Sequence, residues 1–124
     1  VAGKRLARIL RGFRDLPMHV IYIAHKKDKM RQGRNTLEES KPNLTDKLST
    51  AIMGYMDYVW YLYTADETVG DEESGYRTEM HRYLLTQAMN NYAAKTRGAE
   101  FAARIGAVIK DPNMVTIMKE YKSN

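Results

Sequence analysis

Cations and imidazoles carry whatever chemistry this sequence can do. Lys26, Lys27, Lys29, Arg31 and Arg34 crowd the stretch from Lys26 to Arg34, where Asp28 is the one acid, and Lys41 follows shortly after. A basic run of this kind can track the phosphates of a nucleic-acid strand; a solvated charged loop is the plainer alternative. Lys95 and Arg97 stand two residues apart, so an extended backbone points both side chains the same way. Such a pair can clamp a polyanion such as a triphosphate, and an ordinary basic turn is its alternative. His25 ends the apolar run His19–His25. At that edge of a parallel strand ligands bind, and a polar residue there can report on a phosphate; a histidine that merely faces solvent is the alternative. His19, His25 and His81 lack zinc-ligand spacing, and without cysteine there is no thiolate site.

One motif is missing from these residues. No glycine-rich G-x-x-x-x-G-K-[ST] segment occurs, and Gly3-Lys4 lacks both the upstream glycine and the following Ser or Thr. No apolar strand ending in a metal-holding aspartate precedes the first helix. The sequence therefore supplies no cradle for a magnesium nucleotide. Tyr58, Trp60, Tyr61 and Tyr63 could stack bases, although on a buried strand such rings more often form core.

The elements that must hold these groups follow from periodicity. Leu6, Ile9, Leu10 and Phe13 recur at i, i+3, i+4 and i+7, which predicts a helix from about Lys4 to Arg14. Leu16-Pro17 stops it. His19–His25 is β-branched and aromatic, which predicts a strand buried on both faces in a parallel sheet. Lys26–Asn43 reads as a long loop, ended by Pro42. Leu44, Leu48, Ala51, Ile52 and Tyr55 predict a second helix capped by Asn43 or Thr45. Tyr58–Thr64 and His81–Ala88 read as strands around an acidic loop, Asp66–Gly75, and are expected to pair as a long-looped hairpin. Asn90-Asn91 signals a turn, and Tyr92–Thr96 a short strand. Asp111-Pro112 looks like a helix cap with proline at the first helical position, opening a helix to about Tyr121. The expectation is an α/β domain with a parallel pair of strands closed by antiparallel ones.

The 124 residues, 44% of them hydrophobic and 28% charged, suit one packed domain rather than a disordered chain. No apolar run reaches the roughly 20 residues that span a bilayer. The absence of cysteine and of a signal-like segment places the chain, as an expectation, in a cytoplasm. The net charge of +5 is divided between a basic Lys26–Arg34 and an acidic Asp66–Glu73, a segregation that points to directional electrostatics. A chain that starts at Val1 and enters a helix at once reads as a fragment.

Three segments in this order and spacing, LPMHVIYIAHKKDK, KPNLTDKLSTAIMGYMDYVWYLYT and RYLLTQAMNNYAAKTRG, resemble the back half of phage RecA-like ATPases, relatives of RecA and RadA. The resemblance covers about Leu6 to Gly98. It implies a partial RecA-like P-loop NTPase core across residues 1–124, flanked by helices and without its phosphate-loop half. It implies ATP and Mg2+ as cofactors of the complete protein, while this chain alone is expected to be inactive. His25 matches the phosphate-sensing strand end of that family, and the following Lys26–Lys41 stretch matches a DNA-binding loop. Lys95 and Arg97 match the basic finger that reaches the nucleotide of a neighbouring subunit, although Thr-Arg-Gly stands here where RadA has Asn-Arg-Phe-Gly. The implied activity is ATP-dependent DNA binding in phage recombination or single-strand annealing, with single-stranded DNA as partner and a homo-oligomeric ring or filament as the assembly. Two other readings stay open. One is a small basic nucleic-acid-binding module without hydrolysis. The other is a structural protein whose acidic and basic loops pair between subunits.

Overall fold

The computed structural model of the protein describes residues 2–33 and 36–122. The apolar stripe of Leu6, Ile9, Leu10 and Phe13 produces the first helix, α1 (Ala2–Arg14). Pro17 ends it by barring Leu16 from the helical region. The apolar run that follows corrects the first strand expectation. His19–His25 joins no ladder, and Ile21 and Ile23 are 71% and 93% exposed. The Tyr22 hydroxyl ties the run to α1 by donating to the Leu10 carbonyl, and His19 meets Tyr121 edge-on at 5.9 Å. A strand buried on both faces requires neighbours on either side, and among the described residues no strand lies against it.

The stretch expected to be a loop is instead an antiparallel hairpin of β1 (Lys26–Met30) and β2 (Leu37–Pro42). Its register sets Lys26 opposite Pro42 and Lys29 opposite Glu39. Helix α2 (Asp46–Tyr55) follows, with Thr45 at the cap position but making no side-chain cap bond. Ser49, fully buried, donates to the Pro42 carbonyl at 2.9 Å and so fastens α2 to the end of the hairpin.

The second half of the chain builds the main sheet. The aromatic run beginning at Tyr58 divides into β3 (Tyr58–Val59) and β4 (Tyr61–Asp71), with Trp60 between them. β4 pairs along its whole length with β5 (Gly75–Leu85), so the acidic segment is mostly strand and only its end is a turn. Gly70 makes that turn possible: its φ of 112° suits glycine, and a Cβ there would sit 2.1 Å from the Gly75 carbonyl oxygen. Asp71 closes the turn by accepting from the Ser74 amide and hydroxyl at 2.6 and 2.8 Å. Asn90 and Asn91 turn the chain with left-handed φ values of 51° and 69°. β6 (Lys95–Thr96) pairs with β3, and α3 (Ala99–Ile105), β7 (Val108–Lys110) and α4 (Met114–Lys122) complete the order. β7 joins β5 over Tyr83–Leu85. The α4 cap is Asn113, whose Oδ1 accepts from the Val115 amide at 2.8 Å, rather than the expected Asp111.

Leu84, Phe101 and Ile117 form the core between this sheet, α3 and α4, with Trp60, Ile105 and Ile109 packed around them. Every ladder among the described residues is antiparallel, and the one parallel pairing is an isolated bridge between Ser40 and Tyr92. The fold is mixed α/β, with helices set against small antiparallel sheets. The parallel pair expected between the Ile21 run and the Trp60 run does not form.

Candidate functional site

The basic stretch divides into a neutralised root and a charged tip. At the root, Lys26 pairs with Asp28 at 2.9 Å; that bond raises the Lys26 pKa and lowers that of Asp28, which also accepts from Ser40. Lys26 also lies 5.9 Å from the rings of Tyr61 and Tyr92. The Lys27 ammonium donates to the Leu44 carbonyl at 2.8 Å and to Asp46 at 3.0 Å. Lys41, only 8% exposed, reaches Glu39 at 3.3 Å and Asp46 at 3.4 Å. Burial opposes its charge, but Glu39 and Asp46 outweigh that and hold its pKa above the ordinary value. Lys27, and then Lys41, lower the Asp46 pKa. Toward the tip, Lys29 and Arg31 are exposed, and neither has an ion-pair partner among the described residues. The Arg31 amide donates to the Thr36 carbonyl at 2.9 Å, which carries the ladder one step past β1. Arg34 lies outside the described residues.

His25 is exposed and precedes β1, and its carbonyl accepts from the Asn43 amide at 2.7 Å, closing the base of the hairpin. The strand it was expected to tip is absent, so its position is that of a hairpin root. Lys95 lies on β6, and Arg97 follows directly after that strand. Thr96 between them turns its hydroxyl inward, accepting from the Trp60 indole at 2.9 Å and donating to the Thr86 carbonyl at 2.8 Å. Thr86 is fully buried, and its hydroxyl donates to the Gly106 carbonyl. This relay fixes β6, leaving Lys95 half-buried and Arg97 exposed on either side of the inward Thr96. The Arg97 side chain is 69% exposed, pairs with Asp57 at 2.6 Å and stands at the rim of a cleft of about 340 Å³ lined also by Tyr58, Phe101 and Tyr121.

Comparison with known families decides the affiliation. The family model described as AAA domain matches residues 1–98, most of the chain. The chain belongs to the AAA domain family. It is thus P-loop NTPase-like, and the family carries a nucleotide-binding, ATPase-like character. No curated protein and no solved structure matches it. Within this AAA domain chain Gly3 and Lys4 lie inside α1, so they form no phosphate-binding turn. Lys95 on β6 and Arg97 just beyond it are cations of the type one flank of a polyphosphate needs, although the Arg97 guanidinium is held by Asp57; the described residues show no glycine-rich cradle for its other flank.

One group of residues in the chain is not legible from sequence spacing alone. His81 on β5 holds Asp111 through Nδ1 at 2.9 Å and Glu79 through Nε2 at 3.1 Å, with Glu67 at 3.9 Å. Asp111, and then Glu79, raise the His81 pKa. Glu67 in turn takes a bond from Lys110 and accepts from the Tyr83 hydroxyl at 3.4 Å, and Lys110 lowers its pKa. The cluster joins β4, β5 and the exit of β7. Its legible trace was the i, i+2 spacing of Glu79 and His81 on a strand; the partners Glu67 and Asp111 are remote in sequence. Among the described residues no group of three or more such side chains is arranged to hold a metal ion, and no helix is long and apolar enough to cross a membrane.

Proposed function

We propose that this AAA domain chain is the DNA-facing and subunit-facing part of a RecA-like, ATP-dependent DNA-binding protein of phage recombination or single-strand annealing, working in the cytoplasm. The observation that carries the reading is the charge arrangement of the β1–β2 hairpin. Its root cations are consumed by Asp28, Glu39 and Asp46, while Lys29 and Arg31 reach solvent near the tip. A rigid arm with cations near its free end suits the phosphates of single-stranded DNA, whose affinity is set by the phosphates neutralised. Lys26, Lys27 and Lys41 then act as supports that fix the arm, and Arg34 extends the same basic segment. His25, at the root, would couple nucleotide state to the arm's position. Lys95 and Arg97 would reach the nucleotide held by a neighbouring protomer in a ring or filament and offset charge that develops on the transferred phosphoryl group. ATP with Mg2+ is the nucleotide this reading requires.

Two measurements test it. In a salt series with labelled single-stranded DNA, the Lys29→Ala/Arg31→Ala variant should bind more weakly, with a log–log slope shallower by about 1.4 for two lost phosphate contacts. Lys27→Ala, whose ammonium already serves Leu44 and Asp46, should leave that slope unchanged. An unaltered slope in the double variant removes the hairpin from the interface. In the assembled ATPase, Lys95→Ala should lower turnover by about 10³ or more while nucleotide affinity is retained; normal turnover would withdraw the finger role. Binding by the chain alone that is tight, steeply salt-dependent and indifferent to nucleotide would favour a stand-alone nucleic-acid module.

A further inference from the structure

The aromatic run that starts at Tyr58 serves two faces of the molecule. Tyr58 meets Phe101 edge-on at 5.7 Å, and Trp60 packs on the core of Leu84, Phe101 and Ile117. Tyr61 and Tyr63 do not join them. Two residues apart on β4, they point to one face of the sheet, and register sets Tyr83 of β5 directly opposite Tyr63. Alternation places Leu84, and with it the core, on the other face. The rings of Tyr92, Tyr61, Tyr63 and Tyr83 follow one another in a single column. Successive centroids lie 4.8, 5.4 and 5.5 Å apart, with planes inclined by 15°, 15° and 20°. All four side chains are half-buried, so the column is reached by solvent.

The two ends of the column differ. At one end the Tyr83 hydroxyl donates to Glu67 at 3.4 Å, and Glu79 and Asp111 hold His81, two residues away on the same face. Three carboxylates gathered there discourage a phosphate. At the other end Tyr92 keeps a face with no ring against it among the described residues, and Lys26 lies 5.9 Å from the centres of Tyr61 and Tyr92. This end is fastened to the β1–β2 arm. The Ser40 amide donates to the Asn91 carbonyl at 2.9 Å, the Ala93 amide to the Ser40 carbonyl at 2.9 Å, and the Asn91 side-chain amide to the Leu37 carbonyl at 3.0 Å. The exposed cations Lys29 and Arg31 and the free ring face of Tyr92 thus belong to one connected piece.

A π-face beside cations suits one unit of a single strand, whose base stacks while its phosphates meet the charge. A proline-rich peptide also lies on aromatic rings, but it offers no anion to Lys29 and Arg31. We propose that the tyrosine column is a base-stacking platform for single-stranded DNA, in which a base continues the column on the free face of Tyr92 while neighbouring phosphates run to Lys29 and Arg31. The strand is confined to the Tyr92 end, because the carboxylates around Tyr83 close the other. Affinity then has a part that salt does not screen, and an intact strand is preferred over a bare sugar–phosphate chain. The inference rests on the DNA-binding reading of the arm but is measured by base dependence rather than by salt slope, so the two fail separately.

Fluorescence anisotropy of the whole chain with two labelled strands of equal length, oligothymidine and its fully abasic counterpart, tests it. The wild type should bind oligothymidine about 10-fold or more tightly than the abasic strand, at about 0.05 M and about 0.2 M salt alike. Tyr92→Leu should lose most of that preference and keep the log–log salt slope. Lys29→Ala/Arg31→Ala should do the converse, with a shallower slope and the preference retained. Tyr76→Leu, at an exposed tyrosine outside the column, should behave as the wild type. Equal binding of the two strands by the wild type would overturn the proposal and leave the phosphate contacts of the arm standing, whereas a wild type that binds neither strand would remove both. Full preference in Tyr92→Leu would overturn it too, as would a proline-rich peptide that binds the wild type but not Tyr92→Leu while the two strands bind alike. Circular dichroism checks that Tyr92→Leu is folded; if it is not, the wild-type comparison of the two strands decides alone.

Discussion

His81 shows how a single side chain sets a pH dependence here. Its two ring nitrogens face Asp111 and Glu79, with Glu67 close by and Lys110 and Tyr83 gathered on Glu67. Asp111 first, then Glu79, raise the pKa of the folded imidazole above its ordinary 6.5. The protonated form is the one the fold favours, so its contribution is complete below the unfolded value and is lost as pH rises through the folded one. Glu67 and Glu79 stay ionised across that window, because Lys110 lowers the pKa of Glu67 and Arg77 that of Glu79. Thermal melts should therefore show the midpoint falling as pH rises above about 6.5, and His81→Gln should flatten that part of the profile. An equally steep decline in the variant would assign the dependence to another group. Lys41 is the contrasting case at this scale, a buried cation kept charged by Glu39 and Asp46 and used to hold a hairpin in place.

Elements depend on where glycine and charge fall along the strands. The β4–β5 ribbon requires Gly70: alanine there would combine a φ of 112° with a Cβ 2.1 Å from the Gly75 carbonyl. Gly70→Ala should cost more than about 1 kcal/mol in urea unfolding. Gly54, inside α2 with open space around it, is the control, and Gly54→Ala should add about 0.5 kcal/mol or more. If both substitutions proved neutral, the turn would not be the constraint that the backbone indicates. The same elements show what the sequence can tell. The 3.6-residue stripe of α1 and the β-branched, aromatic run of β4 announce themselves, because apolar residues gathered on one face are written as a period, whether or not this chain covers that face. β1 and β2 do not: KKDKM and LEESKP have no apolar alternation. Their hairpin is held by backbone ladders and by pairs such as Lys41 with Glu39, a partnership that only register reveals. The converse holds for His19–His25, whose composition favours a strand but which has no neighbouring strand among the described residues. β7 and α3 went unread because each is short and marked chiefly by Gly98 and Gly106 at the two ends of α3. At the candidate site, the cations were legible from residue type; their division into neutralised root and charged tip was not, since Asp46 and Glu39 are brought in by folding.

Taken whole, the chain is open for its mass. It exposes 9422 Å², whereas a compact monomer of 14.3 kDa would expose roughly 6,800 Å². The excess exceeds the roughly 1,600 Å² that a standard protein interface removes from both partners together. Much of it lies where the sequence placed apolar residues, on the α1 stripe, on Ile21 and Ile23, and on Tyr76 and Met80 of the ribbon. The central core of Leu84, Phe101 and Ile117 is small by comparison. Folding of such a chain should be linked to whatever covers those faces, because a partner that binds the native state alone stabilises it by mass action. The thermal midpoint at low salt should therefore rise with protein concentration over a roughly 100-fold range, and this rise should shrink at about 1 M salt, where the charged part of the contact is screened. A midpoint independent of concentration at both salts would mean that the exposed faces contribute nothing to the chain's own association, and that its small core holds the fold unaided.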